Sequence, residues 1–355
     1  MLPTAIYDVI GVMSGTSLDG LDIAWCRFHT QAGQINFQII QAKTVQYQDD
    51  MREKLGSAQS FNGLELQLLH NEFGCFIGEQ VNAFISKFTI NPYCIASHGH
   101  TVFHDPAKRF TLQIGNGACI AAKTGVDTVC DFRTLDVILG GQGAPLVPFG
   151  DIHMFSKYDT AMNLGGFSNI TLIRHQPVKA FDICPVNIVL NSLAQREGCE
   201  YDAGGRMAED GTIMPELLEL LEQHPHYQLE SPPSLSREWI ENNVLPHVRN
   251  LQIPVRDYLR TFCEHIALRI SEVLNKSGAV SCLVTGGGAY NNYLLSRIQE
   301  LTTTKLVVPD DLTVQFKESL IFAFLGLKRM LGEINVLSEI TGADRSTSSG
   351  KIWKG

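Results

Sequence analysis

The sequence predicts an α/β protein whose two halves repeat one plan: three consecutive strands, then alternating helices and strands. Three observations predict it. Short apolar runs open each half, at about 5–12, 20–28 and 34–42 in the first and at Thr160–Leu164, Phe167–Ile173 and Val178–Ile183 in the second. A glycine-containing turn joins the first two strands of each half, Gly11-Val-Met-Ser-Gly-Thr-Ser-Leu-Asp-Gly20 and Asn163-Leu-Gly-Gly-Phe-Ser-Asn169. Helical stretches separate the strands that follow.

In the first half these are helices near 48–58 and 63–87, a strand at Tyr93–Ser97, a helix from Gly117 to Lys123 and a short strand, Asp127–Cys130. In the second, a helix runs from about Asn187 to Glu197, and a Pro-rich loop, Ser231-Pro-Pro-Ser234, precedes a long helix over Val255–Lys276. Strand Ser281–Thr285, helix Asn291–Leu301, strand Lys305–Val308 and helix Phe316–Leu331 complete the half. The repeated order argues against one large sheet.

With 355 residues, 44% hydrophobic and 18% charged, the chain has the composition of a globular protein and room for two cores. A formal net charge of −9 argues against nucleic acid or an anionic membrane as partner. No apolar stretch approaches the roughly 20 residues of a membrane span. The N-terminus MLPTAIYDVI lacks a basic region and runs into the first strand, so no signal peptide is expected and the cytoplasm is the expected location. Nine cysteines, odd in number and without a CxxC pair, read as free thiols in a reducing compartment. His98, His100 and His104 cluster in a segment that reads as a polar active-site turn rather than a zinc ligand set.

The first turn carries the most chemistry. Its glycines let backbone N–H groups approach an anion. Ser14, Thr16 and Ser17 add hydroxyls, and Asp19 and Asp22 bring carboxylates suited to holding Mg²⁺ indirectly, through phosphate and water. It is not a Walker loop or a dinucleotide fingerprint, because no lysine follows and it opens into a strand rather than a helix. A phosphate turn inside a β-hairpin points to the actin, hexokinase and Hsp70 type of ATPase fold, ribonuclease H-like in each half. Two such turns facing each other across a cleft would grip a triphosphate. The expected ATP-binding residues are therefore Gly11, Ser14, Gly15, Thr16, Ser17, Asp19, Gly20 and Asp22 with Asn163, Gly165, Gly166 and Asn169. A third turn, Val284-Thr-Gly-Gly-Gly-Ala-Tyr-Asn-Asn292, follows a strand and opens a helix, which makes Gly286, Gly287, Gly288 and Asn291 the candidate adenosine site. The plain alternatives are a polar hairpin turn and an ordinary loop.

GVMSGTSLDGLDIA, SHGHTVFHD, LQIGNGACIAAKTG, DFRTLDVILGGQGAPLVP, NLGGFSNIT, VTGGGAYNN and NVLSEITGADR occur in order from about residue 9 to 346. Together they resemble the anhydro-N-acetylmuramic acid kinases. The resemblance implies an ATP- and Mg²⁺-dependent homodimer of cell-wall recycling. It would open the 1,6-anhydro bridge of its amino sugar with water and phosphorylate O6, giving N-acetylmuramic acid 6-phosphate and ADP. It also implies a first domain of residues 1–133 plus about 335–355 and a second of 134–334, with nucleotide and sugar in the cleft between them.

Carried onto this chain, the family pattern makes Asp182, at the end of Val178-Lys-Ala-Phe-Asp182, the base that deprotonates water. Glu318 matches a glutamate facing the sugar. Arg133 suits the lactyl carboxylate, with His98, Thr101, Gly143 and Ala144 as further sugar contacts. As structural readings, Asp182 would cap a helix and Arg133 would make a salt bridge. Where the family reads GPGN and then an aspartate four residues on, this chain has Cys184-Pro-Val-Asn187 and Asn191. Those departures motivate two alternatives: a kinase for a related amino or anhydro sugar, and a catalytically weak nucleotide-binding regulator. A chaperone-like ATPase would need a peptide-binding module, for which no segment is spare. Cys184 reads as a small filler rather than a nucleophile.

Overall fold

In this computed structural model, residues 5–15, 18–31, 34–228, 235, 237–244 and 253–355 are described. The loop at Ser231–Ser234 and the turn residues Thr16 and Ser17 lie outside them. The chain divides into two units, Met1–Met154 with Phe316–Gly355, and Phe155–Gln315. The expected domain limits at 133/134 and 334/335 differ from this division. Helices Thr134–Ile138 and Val147–Met154, and the Phe316–Met330 part of a later helix, belong with the first unit.

In the first unit β1 (Ala5–Ser14), β2 (Leu21–Gln31) and β3 (Gln34–Val45) pair as an antiparallel meander. Helix Gly63–Phe88 connects them to β4 (Cys94–Ser97), parallel to β1. β5 (His100–Asp105) and β6 (Phe110–Ile114) form a separate hairpin, and β7 (Thr128–Cys130) adds parallel to β4. The second unit repeats this with β8 (Thr160–Leu164), β9 (Phe167–Leu172) and β10 (Lys179–Pro185) antiparallel, then β11 (Ser281–Thr285) and β12 (Lys305–Val307) parallel to β8. The orders β3-β2-β1-β4-β7 and β10-β9-β8-β11-β12 are the same, with the same strand directions. This duplicated arrangement is the two-domain actin-like ATPase fold. In the first unit β13 (Lys351–Trp353) adds an antiparallel edge strand to β7.

The helices follow from local sequence. Asn62 and Glu65 form a capping box at the start of Gly63–Phe88, and Leu69, Phe73, Ile77, Val81 and Phe84 then recur every three or four residues on its buried face. The helix Val255–Ser277 buries Leu259, Phe262, Ile266, Ile270 and Leu274 by the same spacing and stops at Gly278, in the left-handed region. Each unit has its own apolar core, around Ile10, Phe73 and Ile95 in the first and around Phe262, Ile266 and Val284 in the second.

Gly11 is not part of the turn. It lies within β1, paired with Ala24 and Ala96. A Cβ there would sit 1.9 Å from the carbonyl oxygen of Ser319, on the helix Asp311–Met330. The glycine is required by a backbone-to-backbone approach. Gly11→Ala is therefore expected to push the helix off the sheet, at a cost of about 1–3 kcal/mol or more by overpacking. Thermal unfolding checks this, and an unchanged melting temperature would show that the contact relaxes freely.

Candidate active site

In the first unit the turn between β1 and β2 begins after Ser14, which pairs with Leu21. Leu18 takes a left-handed conformation, with φ of 60°. Asp19 is exposed, and Asp22, on β2, accepts the Thr44 hydroxyl at 2.5 Å. Burial pushes the Asp22 carboxyl above its usual range, and the like charge of Asp19 adds to that. Asp22 in that state, with a second carboxylate close by, fits a nearby cation, whose charge would offset both effects on Asp22. Among the described residues no three His, Cys, Asp or Glu side chains gather as a metal ligand set.

Ser14 differs from a phosphate-facing hydroxyl. It is buried, accepts the Tyr47 hydroxyl at 2.8 Å and bonds His100 Nδ1 at 3.1 Å. Burial lowers the His100 pKa to about 4, so the imidazole is neutral at physiological pH. Ser14 thus joins β1 to the β5–β6 hairpin and the segment after β3.

Arg133 is enclosed and makes no carboxylate ion pair among the described residues. Its Nε and Nη2 both donate to His98 Nε2, at 3.1 and 2.8 Å, and its Nη1 donates to the Gly143 carbonyl at 2.6 Å. A guanidinium only donates, so His98 Nε2 is the unprotonated nitrogen, and Nδ1–H donates to the Gly99 carbonyl at 2.9 Å. Burial, then the Arg133 charge, holds the His98 pKa well below its usual value. Burial also lowers the Arg133 pKa to about 10, against the pull of Glu318 and Asp136. The other side of Gly143 is held too: its N–H donates to Asp136 Oδ2 at 2.8 Å, and Thr341 donates to Oδ1 at 2.7 Å. Thr101 accepts a long 3.4 Å bond from Gln113, and Ala144 is half-buried. A polar cavity of about 190 Å³ opens beside His98, lined among others by Gln113, Asn116, Asp131, Lys351 and Trp353.

Glu318 follows Phe316, where the helix Asp311–Met330 leaves helical geometry. Burial raises its pKa; Lys317 and Arg133 pull it back, while Asp22 and Asp151 reinforce the rise. Lys317 itself forms a buried 2.7 Å ion pair with Asp151. Neither Asp136 nor Asp151 was singled out from sequence, although both lie within or just after the DFRTLDVILGGQGAPLVP segment.

In the second unit the β8–β9 turn, the glycine run after β11 and the helix Asn187–Ala194 converge. Asn187 Nδ2 donates to the Leu164 carbonyl at 3.0 Å, and the N–H groups of Val186, Asn187 and Ile188 donate to Gly165 or Gly166 carbonyls. Gly286 has φ of +83°, and a Cβ there would lie 2.4 Å from Asn163 Oδ1. Gly287 and Gly288 continue as a 3₁₀ turn, with no room for a Cβ at 288 against Leu164. Asn169 lies opposite Asn163 in the ladder. Asn291 serves the fold instead. It is largely buried and caps the helix Asn292–Leu301 through Leu294 N–H at 2.9 Å.

Asp182 pairs with Asn169 on β10, directly before a bulge. It does not cap the helix Asn187–Ala194, whose first residue is preceded by Val186. Its Oδ2 accepts the Leu235 N–H at 2.9 Å, and burial raises its pKa. The replaced glycine positions are well accommodated. Val186 has φ of −127°, outside the left-handed region, and its side chain is fully buried. The Cys184 thiol is buried, with its pKa pushed up to about 12, which favours the neutral thiol there. Asn191 is half-buried.

The class of protein is a sugar kinase, shown by the match to known families. The family model for anhydro-N-acetylmuramic acid kinase matches residues 7–355. Relatives of that name include one from Photobacterium profundum, 33% identical over 98% of this chain and 99% of its own. Another, from Saccharophagus degradans, is 34% identical over 97% and 98%. A third, from Pseudomonas putida, is 37% identical over 84% of each. The chain belongs to the anhydro-N-acetylmuramic acid kinase family.

The Ser14 network yields a test. Ser14→Ala leaves buried polar groups of Tyr47 and His100 without this partner, a loss of about 1–3 kcal/mol. The melting temperature should fall while the KM for ATP stays put; a raised ATP KM with parental stability would return Ser14 to the phosphates.

Proposed function

We propose that this enzyme uses ATP and Mg²⁺ to convert 1,6-anhydro-N-acetylmuramic acid and water into N-acetylmuramic acid 6-phosphate and ADP, in the recycling of peptidoglycan. The observation that supports this most strongly is the family match over nearly the whole chain, which includes the strand bearing Asp182. In this reading Asp182 takes a proton from the water that attacks C1. The C1–O6 bond breaks, and O6 attacks the γ-phosphorus in line as ADP departs. Burial suits this role, because a carboxylate raised above its usual range is a better base near neutral pH. Mg²⁺, held through phosphate and water by Asp19 and Asp22, would supply charge neutralisation at the phosphates.

Arg133 is the counterpart for a substrate anion. A half-buried guanidinium whose hydrogen bonds go to a neutral imidazole and a carbonyl has charge left for a carboxylate such as the lactyl group. Glu318, with its raised pKa, faces the same first-unit cluster and would hydrogen-bond a sugar hydroxyl. The reading further has the enzyme act in the cytoplasm as a homodimer. Among the described residues no helix is long and apolar enough to cross a membrane.

ADP release measured with and without the anhydro sugar tests the whole reading, and turnover only with another amino sugar would redirect it. Asp182→Asn keeps shape but loses basicity, so kcat should fall about 10²–10⁴-fold with nucleotide affinity and stability intact. In ¹⁸O-labelled water the label should reach C1 of the product and not the new phosphate. Label in the phosphate would mean that water attacks phosphorus. Arg133→Lys should raise the sugar KM and leave that of ATP unchanged, because lysine cannot reproduce the fork; an unaltered sugar KM removes this role.

A further inference from the structure

Asp182 is held from a point 53 residues further along the chain, by a group that no side chain supplies. A carboxyl group turns readily about its Cβ–Cγ bond, so a base needs something to fix its plane. Among the described residues, the 2.9 Å bond from Leu235 N–H to Oδ2 is the hydrogen bond that does so. The Leu235 side chain is buried, which seats the amide. On the other side, Asp182 stands at the last regular pairing before the β10 bulge, opposite Asn169. One carboxylate oxygen is therefore held while Oδ1 keeps no protein donor among the described residues.

We propose that the Leu235 backbone N–H is a positioning group for the catalytic base, holding Oδ2 so that Oδ1 is the atom that accepts the proton from water. This rests on Asp182 being the base. The bond also has an electrostatic consequence. Burial raises the pKa of Asp182 and the Leu235 N–H lowers it; among the described residues no charged side chain adds to these two influences. A donor to the ionised form favours that form, so the N–H keeps a half-buried carboxylate available as a base. Removing it must move the carboxyl pKa up, and the pH at which the base is lost moves up with it.

Two changes remove the N–H. Leu235→Pro deletes it, and replacing Leu235 by its α-hydroxy acid turns the amide into an ester while keeping the side chain. Activity is followed as anhydro-sugar-dependent ADP release across pH. In both variants the acid limb of kcat/KM should shift upward by about one pH unit or more. The rate on the plateau should fall roughly 10-fold from lost orientation, with the KM for ATP unchanged. Leu235→Ala keeps the N–H, so its acid limb should stay at the parental position. If the proline variant does not fold, the ester variant decides. An ester variant with parental acid limb and kcat overturns the proposal. Asp182→Asn measured alongside separates the two levels: full activity there removes Asp182 as base, whereas an inactive Asp182→Asn beside a parental ester variant removes only Leu235.

Discussion

The carbonyl oxygen of Ser319 occupies the place that a side chain on Gly11 would need, and the layout of the first unit depends on that approach. With no Cβ at Gly11, the helix Asp311–Met330 lies directly on β1. Gly326 repeats the device on the helix side, where a Cβ would lie 2.4 Å from that of Ala96 on β4. A helix this close to the sheet brings Glu318 within electrostatic reach of Asp22, Arg133 and Asp151. The raised pKa of Glu318 comes first from burial, on the same helix that this contact seats against the sheet.

Charge in that cluster is distributed with restraint. Lys317 and Asp151 pair with each other, and Asp136 takes neutral donors from Gly143 and Thr341. Arg133 gives its N–H groups to neutral acceptors. A guanidinium arranged in this way is held in a fixed orientation, and among the described residues no carboxylate forms an ion pair with it. The same bonds fix the His98 tautomer and hold the Gly143 segment, so one side chain ties together two parts of the first unit.

Strand order was legible because the same apolar runs and glycine turns occur twice, and the two sheets have the same order. Elements defined by distant partners were not. β13 is three residues long and exists as a strand through its pairing with β7; the β5–β6 hairpin carries His100 and His104, which read as a polar turn. At the site, three residues chosen by type have structural partners that the sequence did not reveal. Gly11 serves packing, Ser14 a buried hydrogen-bond network and Asn291 a helix cap. For Gly11 and Ser14 the deciding neighbours lie far away in sequence, and for Asn291 the exact start of the helix decides. The Leu235 contact is silent for a further reason: a main-chain N–H is the same in every residue but proline.

The segment Cys184-Pro185-Val186 shows why departure from a motif need not mean a different site. Glycine would be required at 186 if the backbone there were left-handed, and it is not. The room a glycine would leave is taken by side chains facing the core around Ile183, Val189 and Leu190. Ser168 secures the bulge beside Asp182 by accepting the Cys184 N–H at 3.2 Å and donating to its carbonyl at 3.1 Å. Behind it lies a buried network in which His265 bonds both Glu222 and Tyr227, and Arg269 pairs with Glu222. Added apolar bulk packed beside this polar network fills the space next to the strand that carries Asp182. The chemical difference that survives is Asn191, which keeps an aspartate's shape and hydrogen-bonding reach but not its charge.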